Sequence, residues 1–187
     1  MLYEDDNENK NMQTIETTRL RLRQWTEQDA EELFALASDP DVGPRAGWPP
    51  HQSVEESREV IRTVFANDHT WAIVLKETNE LIGCMGYYTH EESNIGIGKM
   101  DAELGYWIGK PYWNRGLCTE ALHAMVDHCF NTVGYETLWS DYFVDNPASG
   151  RVMEKCGFRD TGEVNWLSHL YRGDERPVKM MRLDYAL

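Results

Sequence analysis

The stretch Tyr106–Leu122, YWIGKPYWNRGLCTEAL, constrains the chain more than any other. It opens as an apolar, aromatic strand pattern, breaks at Gly109-Lys110-Pro111, and resumes at Arg115-Gly116 as a helix. A plain strand-to-helix connection needs no glycine in the helix's first turn. A turn that lets a ligand approach its backbone amides does, because glycine has no Cβ to hold the ligand away. The segment therefore reads as strand, turn, phosphate site, helix. Asn114-Arg115-Gly116-Leu117-Cys118-Thr119 present successive amides at the positive end of a helix dipole. Gly116 permits close approach, small Cys118 keeps the floor shallow, and Arg115 adds charge.

Periodicity on either side supplies the frame. Arg19–Trp25 alternates Arg with Leu as a half-buried strand does. Thr26, with Asp29 three residues on, marks a helix start, and Leu33, Phe34 and Leu36 share one face through Ala37. Asp39–Gln52, dense in Pro and Gly, is too irregular for an element and rich in groups that line pockets. Ser53 and Glu56 form a capping box opening a helix to about Ala66. Strands Thr70–Lys76 and Glu80–Tyr88 flank the hairpin Glu77-Thr78-Asn79, and a polar turn, Glu91–Lys99, leads into the strand Met100–Ile108. Helix Leu117–Thr132, stopped at Val133-Gly134, precedes strand Thr137–Val144, a short helix Pro147–Cys156, and strands Phe158–Trp166 and Val178–Tyr185. The order is β-α-α-β-β-β-α-β-α-β-β. A chain of 187 residues without repeats or linkers reads as one mixed α/β domain over residues 13–187, behind a polar, acidic tail over 1–12.

Charge and composition narrow the function. Eighteen basic against 32 acidic residues give a net charge of −14, which opposes non-specific nucleic-acid binding and docking on anionic membranes. It suits a cationic partner such as an amine. Four scattered cysteines without a CxxC pair, an N-terminus lacking a signal pattern, and no apolar run near about 20 residues point to a cytoplasmic protein with reduced thiols. The sequence IGIGKM (Ile95–Met100) fails as a phosphate-binding P-loop, since Met100 stands where Ser or Thr is needed and Ser93 where the first Gly belongs. It reads as a hairpin loop. The six histidines show no metal-ligand spacing, so no metal is expected. The oligomeric state stays open between monomer and homodimer.

In the second half, SDYFVDNPASGRVMEKCGFRDTG (Ser140–Gly162) places Asn146-Pro147-Ala148-Ser149 between a strand and a short helix that ends at Glu154-Lys155-Cys156-Gly157-Phe158. Together with the amide turn and the opening TTRLRLRQWTEQDAEELFAL, this resembles the GNAT superfamily of N-acetyltransferases, nearest its RimJ/RimL type. The resemblance spans Thr17 to about Tyr185. It implies a mixed, mostly antiparallel sheet whose central strands splay apart, with acetyl-CoA as cosubstrate. The superfamily's Gln/Arg-x-x-Gly-x-Gly/Ala pattern falls on Trp113, Gly116 and Cys118, departing at the first and last positions. By the same resemblance, backbone near Tyr106, Trp107 and Ile108 would bond the pantetheine arm together with Asn146, and Ser149 would act as acid toward the leaving thiolate. Helix capping is the plainer reading of Asn146 and Ser149.

Acetyl transfer also needs a free amine and a polarised carbonyl. Glu103, alternating with Gly105 and Trp107 on the strand expected to hold the cofactor, is the first candidate base, and Asp141 on the neighbouring strand the second. Gly105 would leave space beside Glu103 for a water or an amine. His51 and His90 are more distant candidates. A covalent route through Cys118 is conceivable, since a helix N-terminus lowers a thiol's pKa, but direct attack in a ternary complex is favoured. Asp39–His51, especially Trp48, and Trp166–Glu175 would wall the acceptor site. The reading is therefore an N-acetyltransferase acting on a primary amine. The alternative is a non-catalytic acetyl-CoA-binding module.

Overall fold

A computed structural model describes residues 13–168 and 175–186. The acidic tail expected over residues 1–12 lies outside the described residues. The strands are β1 Ile15–Glu16, β2 Leu20–Gln24, β3 Thr70–Leu75, β4 Glu80–Tyr88, β5 Asp101–Ile108, β6 Thr137–Phe143, β7 Arg159–Ser168 and β8 Glu175–Asp184. They form one sheet in the order β1-β2-β3-β4-β5-β6-β8-β7. Every neighbouring pair is antiparallel except β5 and β6, which run parallel. The α-helices are α1 Ala30–Ala37, α2 Gly43–Ala46, α3 Val54–Val60, α4 Leu117–Asp127 and α5 Pro147–Lys155.

Local sequence explains these elements. In β2, Leu20 and Leu22 are fully buried while Arg21 and Arg23 face outward. Arg23 donates to both oxygens of buried Asp29, at 2.8 and 2.7 Å, and Asp29 also accepts the Thr26 N–H at 2.8 Å. That carboxylate ties the strand to the helix start, where a 3-10 turn over Glu27–Asp29 precedes α1. Ser53 accepts the Glu56 N–H at 3.1 Å and opens α3, which widens into a π-helical turn over Ile61–Phe65.

The sheet lies between two helical layers. Helices α4 and α5 cover a core including Leu20, Leu122, Leu138 and Met153, while α1 and α3 cover Leu33, Ile61, Ala72 and Leu81 on the other face. Strand β5 serves both cores by alternation, sending Ala102, Leu104 and Ile108 to the first and Trp107 to the second.

Three details depart from the sequence reading. Strand β1 pairs with β2 through Ile15↔Leu22, a two-residue partner too short for periodicity to register. The irregular stretch after Asp39 contains α2, one turn with Pro44 at its start and left-handed Gly47 (φ 95°) at its end. The helix after Gly116 is α-helical only to Asp127, widens over His128–Val133, and stops at Gly134 (φ 93°).

Candidate active site

The site begins where the sheet opens. The β5–β6 ladder holds only Asp101↔Thr137, Ala102↔Leu138 and Glu103↔Trp139, although both strands run on. Beyond Glu103 they part, which is the expected splay. Gly109 donates its N–H to Ile82 of β4 at 2.8 Å. Backbone alternation therefore turns the peptide groups of Leu104, Tyr106 and Ile108 toward the cleft. The Leu104 carbonyl accepts the buried Ser140 hydroxyl at 2.8 Å, and the Ile108 carbonyl accepts the Trp113 indole N–H at 2.6 Å. The Tyr106 peptide groups and the Ile108 N–H remain along an edge that no strand among the described residues pairs with. Trp107 differs from the sequence expectation. Its backbone faces β4, opposite Cys84, and its ring packs 5.5 Å from Trp48 on the other side of the sheet.

Beyond β5 and a 3-10 turn over Lys110–Tyr112, Asn114 (φ 59°) and Gly116 (φ 73°) are both left-handed, and α4 starts immediately after them. The amides of Leu117, Cys118 and Thr119 have no carbonyl partner within the helix. Gly116 is required by its φ rather than by crowding, since a Cβ there would meet only Arg19 Nη2, at 3.5 Å. The back of the turn is fastened. Arg19 donates to the Arg115 carbonyl at 3.0 Å and pairs with Glu120 at 2.6 Å, and Glu120 also accepts the Thr17 hydroxyl at 2.6 Å. The Arg115 guanidinium lies 5.7 Å from the Tyr112 ring centre. Trp113, at the position where the motif has Gln or Arg, pins turn to strand through its indole bond. Burial, followed by neighbouring Cys156, pushes the Cys118 thiol upward, which opposes a covalent route through its thiolate. An amide cradle next to an unpaired strand edge fits a ligand with a pyrophosphate and an amide-bearing arm.

One face of the cleft carries Ser149 and Asn146. A Cβ on Gly150 would lie 2.6 Å from the Tyr142 ring, so α5 sits on β6 at a distance only glycine permits. The Tyr106 hydroxyl lies 3.1 Å from both the Ser149 carbonyl and Ser149 Oγ. Asn146 makes no side-chain cap on α5. Its Nδ2 donates instead to the Arg45 carbonyl of α2, at 3.3 Å. Capping therefore does not account for Asn146.

The other face carries the carboxylates. Glu103 Oε2 accepts the Ser93 hydroxyl at 2.6 Å, and burial raises the Glu103 pKa against that bond. Asp141 is raised from 3.8 to about 7, first by burial and then by the charge of Glu103. Asp141 follows Trp139 by two residues and so lies on the same sheet face as Glu103, beyond the last β5–β6 pair. The space expected at Gly105 is filled, because the Tyr88 ring comes within 3.3 Å of where its Cβ would be. Neither His51 nor His90 is among the groups acting on either carboxylate. His51 shares a 2.8 Å hydrogen bond with Ser57 Oγ, and burial lowers its pKa.

The segment around α2 is fastened to residues that follow β5 and β6 and to β8. Asp41 pairs with Lys110 at 2.5 Å, the Pro44 carbonyl accepts Arg176 at 2.9 Å, and Asn146 holds Arg45. Residues 169–174 of the second expected wall lie outside the described residues. Sequence reasoning missed the Tyr106 phenol, Ser93, Tyr88 and Ser140, which belong to no motif and enter only through their partners across the sheet.

The acetyltransferase (GNAT) domain family matches residues 19–159. The chain belongs to this family. This GNAT protein is 33% identical over 153 residues to the uncharacterized N-acetyltransferase YoaA of Bacillus subtilis, covering 79% of this chain and 84% of that protein. It is 29% identical over 116 residues to the ribosomal-protein-serine acetyltransferase of Escherichia coli, covering 59% of this chain and 62% of that protein. Among solved structures, a GNAT-family acetyltransferase from Bacillus anthracis superposes with a TM-score of 0.79 at 20% identity, covering 92% of this chain and 98% of that one. The spermidine N-acetyltransferase of Vibrio cholerae, in complex with CoA and spermine, gives 0.70 at 19% identity, with coverage of 90% and 96%. The GNAT fold is thus established, and the protein is an acetyltransferase.

Proposed function

We propose that this acetyltransferase transfers the acetyl group of acetyl-CoA directly to a primary α-amine, that of a protein or peptide N-terminus or of a small molecule, in the manner of the RimJ/RimL type. The observation that carries this reading is the presence of two half-buried carboxyls, Glu103 and Asp141, on the face of the cleft opposite Ser149. The amides of Asn114–Thr119 receive the pyrophosphate, and the Tyr106–Ile108 edge with Asn146 holds the pantetheine arm. The Ile108 N–H is aimed to polarise the thioester carbonyl, and Ser149 donates to the departing sulfur.

Asp141 takes the amine's proton. Glu103, fixed by Ser93, raises Asp141 toward the titration range of the amine, so the order of the two candidate bases is reversed. An α-amine titrates at about 7.7–8.0, within about one pH unit of Asp141, whereas a lysine amine at about 10.4 stays protonated. The net charge of −14 favours approach of a cation. The name of the ribosomal-protein-serine acetyltransferase relative supports a protein as one acceptor.

The test is CoA release at pH 7 from three acceptors: a peptide with a free N-terminus and no lysine, an N-blocked lysine peptide, and spermidine. The free N-terminus should give a kcat/KM at least about tenfold above the others. Preference for the lysine peptide or spermidine removes the α-amine reading and leaves the acetyltransferase. Tight acetyl-CoA binding without release to any amine returns the alternative of a binding module.

A further inference from the structure

The Tyr106 phenol carries one proton and faces two acceptors on the same residue, Ser149 O and Ser149 Oγ, each at 3.1 Å. Two arrangements satisfy this geometry. In one, the phenol donates to the carbonyl, and the serine hydroxyl donates back to the phenol oxygen, turning its proton away from the cleft. In the other, the phenol donates to Oγ, occupies one of its lone pairs, and frees the serine proton to point elsewhere. Rotation about two C–O bonds interconverts them, with no movement of heavy atoms.

The surroundings fix the heavy atoms. Tyr106 projects from β5 on the α4–α5 side and packs against the main core. Ser149 is held over it because Gly150 lets α5 sit directly on the Tyr142 ring. Burial raises the phenol's pKa well above its usual value, so the group remains a donor throughout the working range of pH.

We infer that Tyr106 is a positioning residue for Ser149: its hydroxyl donates to Ser149 Oγ as the thioester opens and directs the serine O–H to hydrogen-bond the leaving thiolate, which takes its proton from bulk water while Ser149 keeps its own. A hydroxyl that accepts one hydrogen bond becomes a stronger donor of the next. The Tyr106 backbone lies along the edge assigned to the pantetheine arm, whereas its phenol reaches Ser149. It acts through Ser149, and no proton leaves the phenol.

This rests on the reading of Ser149 as the donor to sulfur, and a double-mutant cycle separates the two. Wild type, Tyr106→Phe, Ser149→Ala and the double variant are assayed for kcat with acetyl-CoA and the best amine of the acceptor test, where chemistry limits the rate. Ser149→Ala should lower kcat about a hundredfold. Tyr106→Phe, which keeps the ring, should lower it about fivefold to tenfold with the KM for acetyl-CoA unchanged within about twofold. In the Ser149→Ala background the second change should add nothing beyond about twofold. Equal losses in both backgrounds mean that Tyr106 acts independently of Ser149, and the inference fails. Wild-type kcat in Tyr106→Phe beside a slow Ser149→Ala removes Tyr106 alone. Wild-type kcat in Ser149→Ala removes the donor reading as well. Site-specific 3-fluorotyrosine at position 106 keeps the shape and strengthens the donor. Its kcat should equal or exceed wild type, and a fall to the Phe level overturns the inference.

Discussion

Replacing Asp141 with Asn should abolish turnover and at the same time stabilise the folded protein, increasingly so as pH rises. Asp141 lies in the splay near Glu103, and its carboxyl is raised from 3.8 to about 7 by burial and by that neighbouring charge. The unfolded chain gives up this proton near 3.8 and the folded one near 7, so ionisation favours unfolding across that interval. Stability contributed by the protonated form is therefore lost as pH climbs from about 4 to about 7, and the loss is complete by about pH 8. At about 1.4 kcal/mol per pH unit, the ceiling is about 4 kcal/mol. For a chain of 187 residues, each kcal/mol moves the melting midpoint by about 2–4 °C. Asn cannot ionise and escapes this penalty, and Glu103 loses a like-charged neighbour, which acts in the same direction. The assay is thermal or urea unfolding of wild type and Asp141→Asn, without ligand, at pH 4, 6 and 8. The midpoints should nearly coincide at pH 4 and separate by about 5–15 °C at pH 8. CoA release at pH 7 should fall by about a hundredfold or more. A variant less stable than wild type at pH 8, or a gap that does not change with pH, refutes the placement of a raised carboxyl at Asp141.

Three further outcomes probe the rest of the site. Glu103→Gln removes the charge that holds Asp141 up, so the acid limb of kcat/KM should move about one pH unit lower while the rate above pH 8 changes little; a large loss at every pH returns the role of base to Glu103. Gly116→Asp sets a carboxylate against the phosphate cradle and should weaken acetyl-CoA binding about a hundredfold by calorimetry, with only about 1–2 kcal/mol of backbone strain because the position has room; undiminished affinity in the folded variant places the pyrophosphate elsewhere. Gly150→Ala drives a methyl toward the Tyr142 ring, 2.6 Å away, and should cost about 1–3 kcal/mol in denaturant unfolding while lowering kcat; unaltered stability shows that α5 has slack over the cleft.

What the sequence made legible was whatever repeats or has a fixed local cause. The Arg–Leu alternation of β2, the Thr26–Asp29 start, and the glycine stop at Gly134 each depend on neighbours within a few residues, and each stands where the pattern put it. The turn before α4 was legible for the same reason, since its left-handed Gly116 is a property of one residue. The site's chemistry was less so. Glu103 and Asp141 are 38 positions apart, and nothing in either neighbourhood says that one ionises under the influence of the other. Gly105 suggested open space until the strand pairing brought Tyr88 over it. Cys118 illustrates a contest of two correct principles: a helix N-terminus lowers a thiol's pKa, burial raises it, and only the packing of α4 against α5 sets the burial.

The splay itself has a side-chain cause that joins both halves of the site. A parallel ladder continues only while each strand's peptide groups meet the other's. One residue past the last pair, the Leu104 carbonyl is taken by the Ser140 hydroxyl at 2.8 Å rather than by a backbone amide of β6. A side chain standing between two backbones holds them farther apart than a direct peptide bond would. Past the end of β5 the Trp113 indole closes back on Ile108, and past the end of β6 the Asn146 amide reaches across to Arg45. The strands are thus spread at one end by Ser140 and fixed at the other by separate anchors. Between those constraints Tyr106 keeps its peptide groups free for a ligand while its phenol bridges to Ser149. The polar demand of the missing ladder is met partly by side chains at the ends and left unmet in the middle, which is where an amide-bearing arm would complete the sheet.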